Sequence, residues 1–268
     1  MMATLAFLSA LSVVPAQEGQ LRLINERATY GVLGATRPND KVLPGDAYFL
    51  TFDIENLKMD DSGRVRYKMN MEVVNKDGKS QFKADPTETV LWSSLGGPRL
   101  PAYAHALLGT DMAPGEYTIN VKVEDIETKK TAELSKKFQV AATEFGLVRV
   151  NTSYDARGDM QAPAFAVAGQ SIYLNFAPVA FKRDDKTKQP NIAVEMRVLD
   201  ESGKPTLEKP IPGAVKDNVP EALSLIPMNL MLTLNRAGKF TIEVKATDKI
   251  ANKTTTLKLP ITVLDATK

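Results

Sequence analysis

Residues able to do chemistry are few in this chain, and they fall into three groups. The first is His105, the single histidine, and so the one side chain able to serve as an imidazole base for a serine or threonine nucleophile. It lies in the strand-like run Ala102-Tyr103-Ala104-His105-Ala106-Leu107. The sequence has no Gly-x-Ser-x-Gly elbow, phosphate-cradling glycine loop or dinucleotide fingerprint to accompany it. His105 therefore reads as a partly buried or edge histidine, and the protein is expected not to be an enzyme. The second group is acidic: Asp60-Asp61 and Asp184-Asp185 recur at matching places. Adjacent carboxylates in a loop are partial calcium ligands, but calcium takes about six to eight oxygens, and no spaced set of further ligands follows in both places. Turn formation on a solvated loop accounts for the pairs equally well, and no metal or cofactor is assigned. The third group is Trp92, Tyr103 and Tyr154, whose apolar ring faces suit stacking on sugars. A single tryptophan and an aromatic content of 7% weigh against that use.

Composition narrows the classes further. Cysteine is absent and histidine occurs once, which excludes disulfides, thiolate chemistry, cysteine-type zinc sites and any site needing two imidazoles. The net charge of +2 arises from 34 basic and 32 acidic residues scattered together, so no field points to nucleic acid or an anionic membrane. Lys129-Lys130, Lys136-Lys137 and Lys182-Arg183 read as solvated strand faces and turns. Met69, Met71 and Met196 fit core positions, whereas Met228 to Met231 would form a methionine-lined surface. Met1 to Ala16 carries an apolar stretch from Leu5 to Val14 and ends in Val14-Pro15-Ala16, the small-residue pattern of a cleaved secretion signal. No Lys or Arg precedes that stretch. About ten apolar residues cannot cross a bilayer core that needs roughly twenty, so no membrane span is expected after cleavage.

The elements that must position these residues are set by a duplication. Pro114 to Val140 aligns without a gap on Ala237 to Val263, and ten of the 27 positions are identical, Asp125/Asp248 and Leu134/Leu257 among them. Each copy alternates, with Tyr117, Ile119, Val121 and Val123 matched by Phe240, Ile242, Val244 and Ala246, which places one apolar face on a strand. A polar turn and a returning strand complete a hairpin. The correspondence extends upstream. Leu21 to Tyr30 matches Phe145 to Tyr154 as a first strand; Tyr48, Leu50, Phe52 and Ile54 correspond to Ile172, Leu174 and Phe176 in a second, half-buried one. The third strand has Val65, Tyr67, Met69, Met71 and Val73 opposite Ile192, Val194, Met196 and Val198. Gly45 and Gly169 close the loops before the second strands, and NKDGKS from Asn75 and DESGKP from Asp200 are tight turns.

Two domains follow, over residues 20–141 and 145–265, behind a signal over 1–16. Ala141 to Glu144 reads as a short hinge. Thr89 to Leu108 and Ile211 to Leu234 diverge between the copies; Tyr103 to Leu108 and Ile226 to Leu234 are expected as strands, and the loops Thr89 to Pro101 and Ile211 to Pro220 as the carriers of specificity. The fold class is all-β: two tandem immunoglobulin-like antiparallel β-sandwiches of seven strands each, joined by wholly antiparallel hairpins.

Ala113-Pro114-Gly115-Glu116-Tyr117-Thr118-Ile119 resembles the tyrosine corner of immunoglobulin-like and fibronectin-type modules, in which the tyrosine hydroxyl bonds back to the preceding turn. In the second copy Phe240 stands at that place, and Ile119 and Ile242 stand where antibody domains have cysteine. The resemblance implies a bacterial secreted or envelope protein. The expected function is a non-enzymatic interaction or structural protein that binds a protein partner through variable loops or a strand edge. A carbohydrate-binding module is the second reading. A chaperone of the pilus-assembly type also pairs two sandwiches, but its domains differ where these repeat.

Overall fold

The structure, a computed structural model, describes residues 19–266; the signal over 1–16 lies outside them. The first repeat runs through β1 (Arg22–Thr29), β2 (Lys41–Val42), β3 (Ala47–Glu55), β4 (Arg64–Asn75), β5 (Ser80–Trp92), β6 (Arg99–Leu107), β7 (Gly115–Asp125) and β8 (Thr131–Val140). The second runs through β9 (Gly146–Ser153), β10 (Phe165–Val167), β11 (Ser171–Val179), β12 (Ile192–Leu199), β13 (Ile211–Val215), β14 (Met228–Thr233), β15 (Gly238–Asp248) and β16 (Lys253–Leu264). Each repeat packs a three-stranded sheet, β1-β3-β6 or β9-β11-β14, on a five-stranded one, β2-β8-β7-β4-β5 or β10-β16-β15-β12-β13. The two strand orders are the same, and both are immunoglobulin-like sandwiches.

The expected strand number and pairing need correction. Each repeat has eight strands, not seven, and the additional pairings, β2 on β8 and β10 on β16, are parallel. They arise because the loop between the first two strands crosses from one sheet to the other, and its end runs beside the last strand in the same direction. The alternation of the shared hairpin sets the core. Ile119, Val121 and Val123 point inward, as do Ile242, Val244 and Ala246, against Phe52 and Phe176, which are 1% and 2% exposed. Gly45 and Gly169 adopt left-handed φ of 89° and 98°, where any side chain would be strained. The second strand of the second repeat, β11, alternates as expected from Ser171 to Phe176, but β3 is covered on both faces: Glu55, on its outer face, lies under the guanidinium groups of Arg22 and Arg99. Hydrogen bonds from these arginines, that of Arg99 foremost, hold its carboxyl below the usual range.

The repetition reaches into irregular backbone. Asn25 and Arg149, each 124 residues from its counterpart, have φ of 56° and 54° and sit in the register breaks of β1 on β3 and β9 on β11. In the second repeat this bulge turns the Arg149 amide outward, and the amide donates to Asp46 Oδ1 of the first repeat at 2.7 Å. Arg149 Nε donates to the Gly45 carbonyl, and the Val32 amide to Gln161 Oε1. Asp46 also pairs with Arg37 at 2.9 Å, both side chains being only 5% exposed, while Arg37 donates to the Ala47 carbonyl and covers the Tyr30 ring. Val148, Ala177 and Val179 form a small core of their own against Leu43 and Leu225. The expected hinge is therefore a braced junction. The buried Arg37–Asp46 pair lies within the first repeat and presents Asp46 to Arg149, so the repeats meet through the hydrogen bonds of Arg149 and Gln161 and through the apolar patch.

Candidate functional site

The far end of the first repeat gathers three connections: Asn56 to Gly63 between β3 and β4, Ser93 to Pro98 between β5 and β6, and Ile126 to Lys130 between β7 and β8. Asp125 holds them. Its carboxylate is buried and accepts from the amides of Lys58 at 2.7 Å, Glu127 at 2.9 Å and Thr128 at 3.2 Å. The Asn56 amide donates to the Pro98 carbonyl and the Ser93 amide to that of Gly63. Between the connections lies a cleft of about 440 Å³, lined by Asn56, Leu57, Met59, Ser93, Pro98, Leu100 and Thr128 among others. Leu57, Met59, Val65 and Leu100 give it an apolar lining, to which Asn56, Lys58, Ser93, Thr128 and Lys130 add polar and charged groups.

Beside this cleft runs β5, the edge of the five-stranded sheet. All but three of its residues are exposed. The pairing with β4 breaks between Ala84 and Thr87, where Asp85 and Pro86 form a bulge, and from Thr87 the strand runs regularly to Trp92. Val90 opposes Arg66 and Trp92 opposes Arg64, so both project from the outer face, while Leu95 stands fully exposed in the following turn. Arg66 is held by Glu88 at 2.8 Å and Glu127 at 3.3 Å; the hydrogen bond from Arg66 keeps the Glu88 carboxyl below its ordinary range. Three exposed apolar side chains thus stand next to a strand edge that no other described residue pairs with, and next to a cleft, in a setting of fixed charges.

The residues singled out from sequence fare unevenly. Of Thr89 to Pro101 only Ser93 to Pro98 is off-strand, and Ile211 to Val215 is β13, so neither variable segment is a long loop. The rest of the second one is tied down: Arg183 donates to the carbonyls of Lys188, Val219, Pro220 and Leu223. Arg183, expected on a solvated turn, is a clamp, and it was invisible in the sequence because its acceptors are backbone carbonyls, most of them more than thirty residues away. Asp60 accepts from Ser62 and Arg64, and Asp184 from Lys186 and Thr187; both carboxylates build their own turns. These bonds, led by that from the Ser62 hydroxyl, bring Asp60 to a pKa of about 2. Among the described residues no group of three or more metal-ligating side chains converges.

Trp92, Tyr103 and Tyr154 are not brought together: they lie on β5, on β6 and just past β9. Tyr103 instead joins Phe49 at 6.5 Å and His105 at 6.0 Å on the outer face of the three-stranded sheet, where His105 stacks on Phe49 at 5.2 Å. His105 is thus an exposed residue of an edge strand, next to rings and not to a nucleophile. The strip was missed because Phe49 falls on the outward positions of an apolar strand. Tyr117 Oη donates to the Ala113 carbonyl at 2.8 Å, the corner that the sequence motif implied.

No protein-family model matches the chain, and no curated protein matches it. Among solved structures the chain is similar to dimeric latent PorU from Porphyromonas gingivalis, with 11% identity, 93% of this chain and 20% of that chain covered, and a TM-score of 0.40. It is also similar to the C-terminal domain of the antigen I/II polypeptide BspA of Streptococcus agalactiae, with 7% identity, 88% and 99% coverage and a TM-score of 0.29. The C-terminal domain of the antigen I/II-family protein AspA of Streptococcus pyogenes gives 7% identity, 91% and 100% coverage and a TM-score of 0.30. The chain spans 20% of the length of the PorU chain. The fold stands on strand order and register, independently of these likenesses.

Proposed function

We propose that this is an exported, non-enzymatic protein of the bacterial envelope or secreted space whose first repeat binds a protein partner. The observation that carries the reading is the free edge of β5 from Thr87 to Trp92, flanked by exposed Val90, Trp92 and Leu95 and opening onto the loop cleft. A partner strand added there gains main-chain hydrogen bonds along the edge and sets alternate side chains against Val90 and Trp92. The bulge at Asp85-Pro86 and the charges of Lys83 and Glu88 guard the edge against indiscriminate pairing. Export is supported by the apolar leader of the sequence, and mass spectrometry of the mature amino terminus tests it, with Gln17 as the expected first residue.

The partner is tested by placing a photo-crosslinking residue at Val90 in the native host and identifying what it captures. A defined protein, recovered at Val90 but not from the same residue at Lys245 on the second repeat, is expected. Recovery of no protein removes the proposal. The strip of Phe49, Tyr103 and His105 favours carbohydrate binding as the second reading; quenching or enhancement of intrinsic fluorescence by polysaccharides, lost in Tyr103→Ala, would support it.

A further inference from the structure

The second repeat holds a cleft of about 500 Å³ that opens between its two sheets at the end away from the junction. Its floor is core: Phe240, Ile242, Ile261 and Val263, of which the last three are 3% exposed or less. Its rim carries Leu207 and Met231, both largely exposed, and Arg236. The first repeat shows why the cleft exists. There Tyr48 stacks on Phe138 at 4.4 Å and Phe138 on Tyr117 at 5.7 Å, a three-ring stack that fills the base of the sandwich. The counterparts in the second repeat are Ile172, Ile261 and Phe240, so two rings are replaced by shorter side chains, and of the three positions Ile261 and Phe240 line the cleft. The flank differs too. β5 pairs with β4 up to Val74, whereas β13 pairs with β12 only from Ile192 to Met196, and Val198 lines the cleft.

The charge at the mouth indicates what would enter. The Arg236 guanidinium lies 5.2 Å from the centre of the Phe240 ring, which holds its donors over the apolar floor. Among the described residues Arg236 forms no ion pair; the Asp200 carboxyl, held below its ordinary range first by the Ser202 hydroxyl and least by the charge of Arg236, spends Oδ1 on the amides of Ser202 and Lys204 and on the Ser202 hydroxyl. A volume of ligand size with an apolar floor, with Thr206, Thr233 and Asn235 also in its lining and one cation at its rim, matches an alkyl chain ending in a carboxylate. We propose that the second repeat binds a single fatty-acid carboxylate, its chain on Phe240, Ile261 and Val263 and its head on Arg236. This site is separate from the partner edge on the first repeat and stands or falls without it.

Calorimetric titration of the full chain with dodecanoate, kept below its micellar concentration, and with dodecanol tests the proposal. One dodecanoate per chain is expected, bound roughly tenfold more tightly than the alcohol, as a charge-assisted contact at a rim contributes. Arg236→Gln, a surface change, is expected to erase that preference and leave dodecanol binding intact. Ile261→Phe, which rebuilds part of the ring stack, is expected to abolish both while the circular dichroism spectrum stays that of β-sheet. Absence of saturable binding by the wild type, equal affinity for acid and alcohol, an unchanged preference in Arg236→Gln, or undiminished binding by a folded Ile261→Phe chain would each overturn the assignment. Capture of a protein by a crosslinker at Met231, without dodecanoate binding, would reassign the cleft to a macromolecular partner.

Discussion

The two repeats share strand order, bulges and left-handed turn positions, yet they finish their edges and their bases differently. In the first, the edge strand β5 has 13 residues and the base is closed by the stack of Tyr48, Phe138 and Tyr117. In the second, the edge strand β13 has 5 residues, carries Pro212 and Gly213, and the base opens into a cleft. One frame thus tolerates opposite solutions where its strands end, because core pairing in the centre is independent of what covers the rim. The long edge of one copy leaves an exposed strand, and the open base of the other leaves a cleft between the sheets.

The comparison is broken most severely by attacking what the repeats have in common. Phe52→Ala and Phe176→Ala should each destabilise by about 3 to 5 kcal/mol, since both rings are fully enclosed. Urea denaturation checks this, and a loss confined to one repeat would mean that the cores are not equivalent. Next in size is the buried carboxylate of each hairpin turn. Asp125 accepts three backbone amides and so does Asp248, from Lys182, Ile250 and Ala251. Asp125→Ala and Asp248→Ala should each cost about 2 to 3 kcal/mol, because the amides lose their acceptor inside the protein.

A smaller change sharpens the contrast. Tyr117→Phe removes the corner hydrogen bond to Ala113 and should cost about 1 kcal/mol, measured as a fall in Tm, while Phe240→Leu in the second repeat has no such bond to lose and tests packing alone. The smallest effect concerns acid. The Asp60 carboxyl has its folded pKa depressed from 3.8 to about 2, so its contribution is complete above pH 4 or so and is lost as pH falls toward 2. Asp184 shifts in the same direction through the amides of Thr187 and Lys186. Asp60→Asn should flatten the acid limb of the Tm against pH curve; an unaltered limb would show that the turn is held without the charge.

Much of this architecture was legible in the residues. Alternation from Tyr117 to Val123 and from Val65 to Val73 gave strands in their observed register, because burying one face of a sheet imposes a period of two on the sequence. The length of β5 was not legible for the same reason inverted: an edge strand that sets only Ala84 and Leu91 against the core needs little apolar alternation, and most of Ser80 to Trp92 shows none. The parallel strands β2 and β10 have two and three residues, too few to carry a pattern. In the loop end the identity of Asp125 and Asp248 was visible, but not its use, since the amides that each accepts come partly from a connection more than sixty residues earlier.

What the chain alone determined is therefore the duplication, the all-β character and the inward residues, each a consequence of local periodicity that any folded copy must obey. Tertiary structure decided the rest. Whether Arg37, Asp46 and Arg149 form a buried knot, whether Arg183 clamps a loop, and whether replacing two rings by isoleucines opens a cleft all depend on groups distant in sequence meeting at defined distances. Hydrogen bonds to backbone carbonyls and the volume left between sheets leave no mark on residue spacing, so only the packed molecule reveals them.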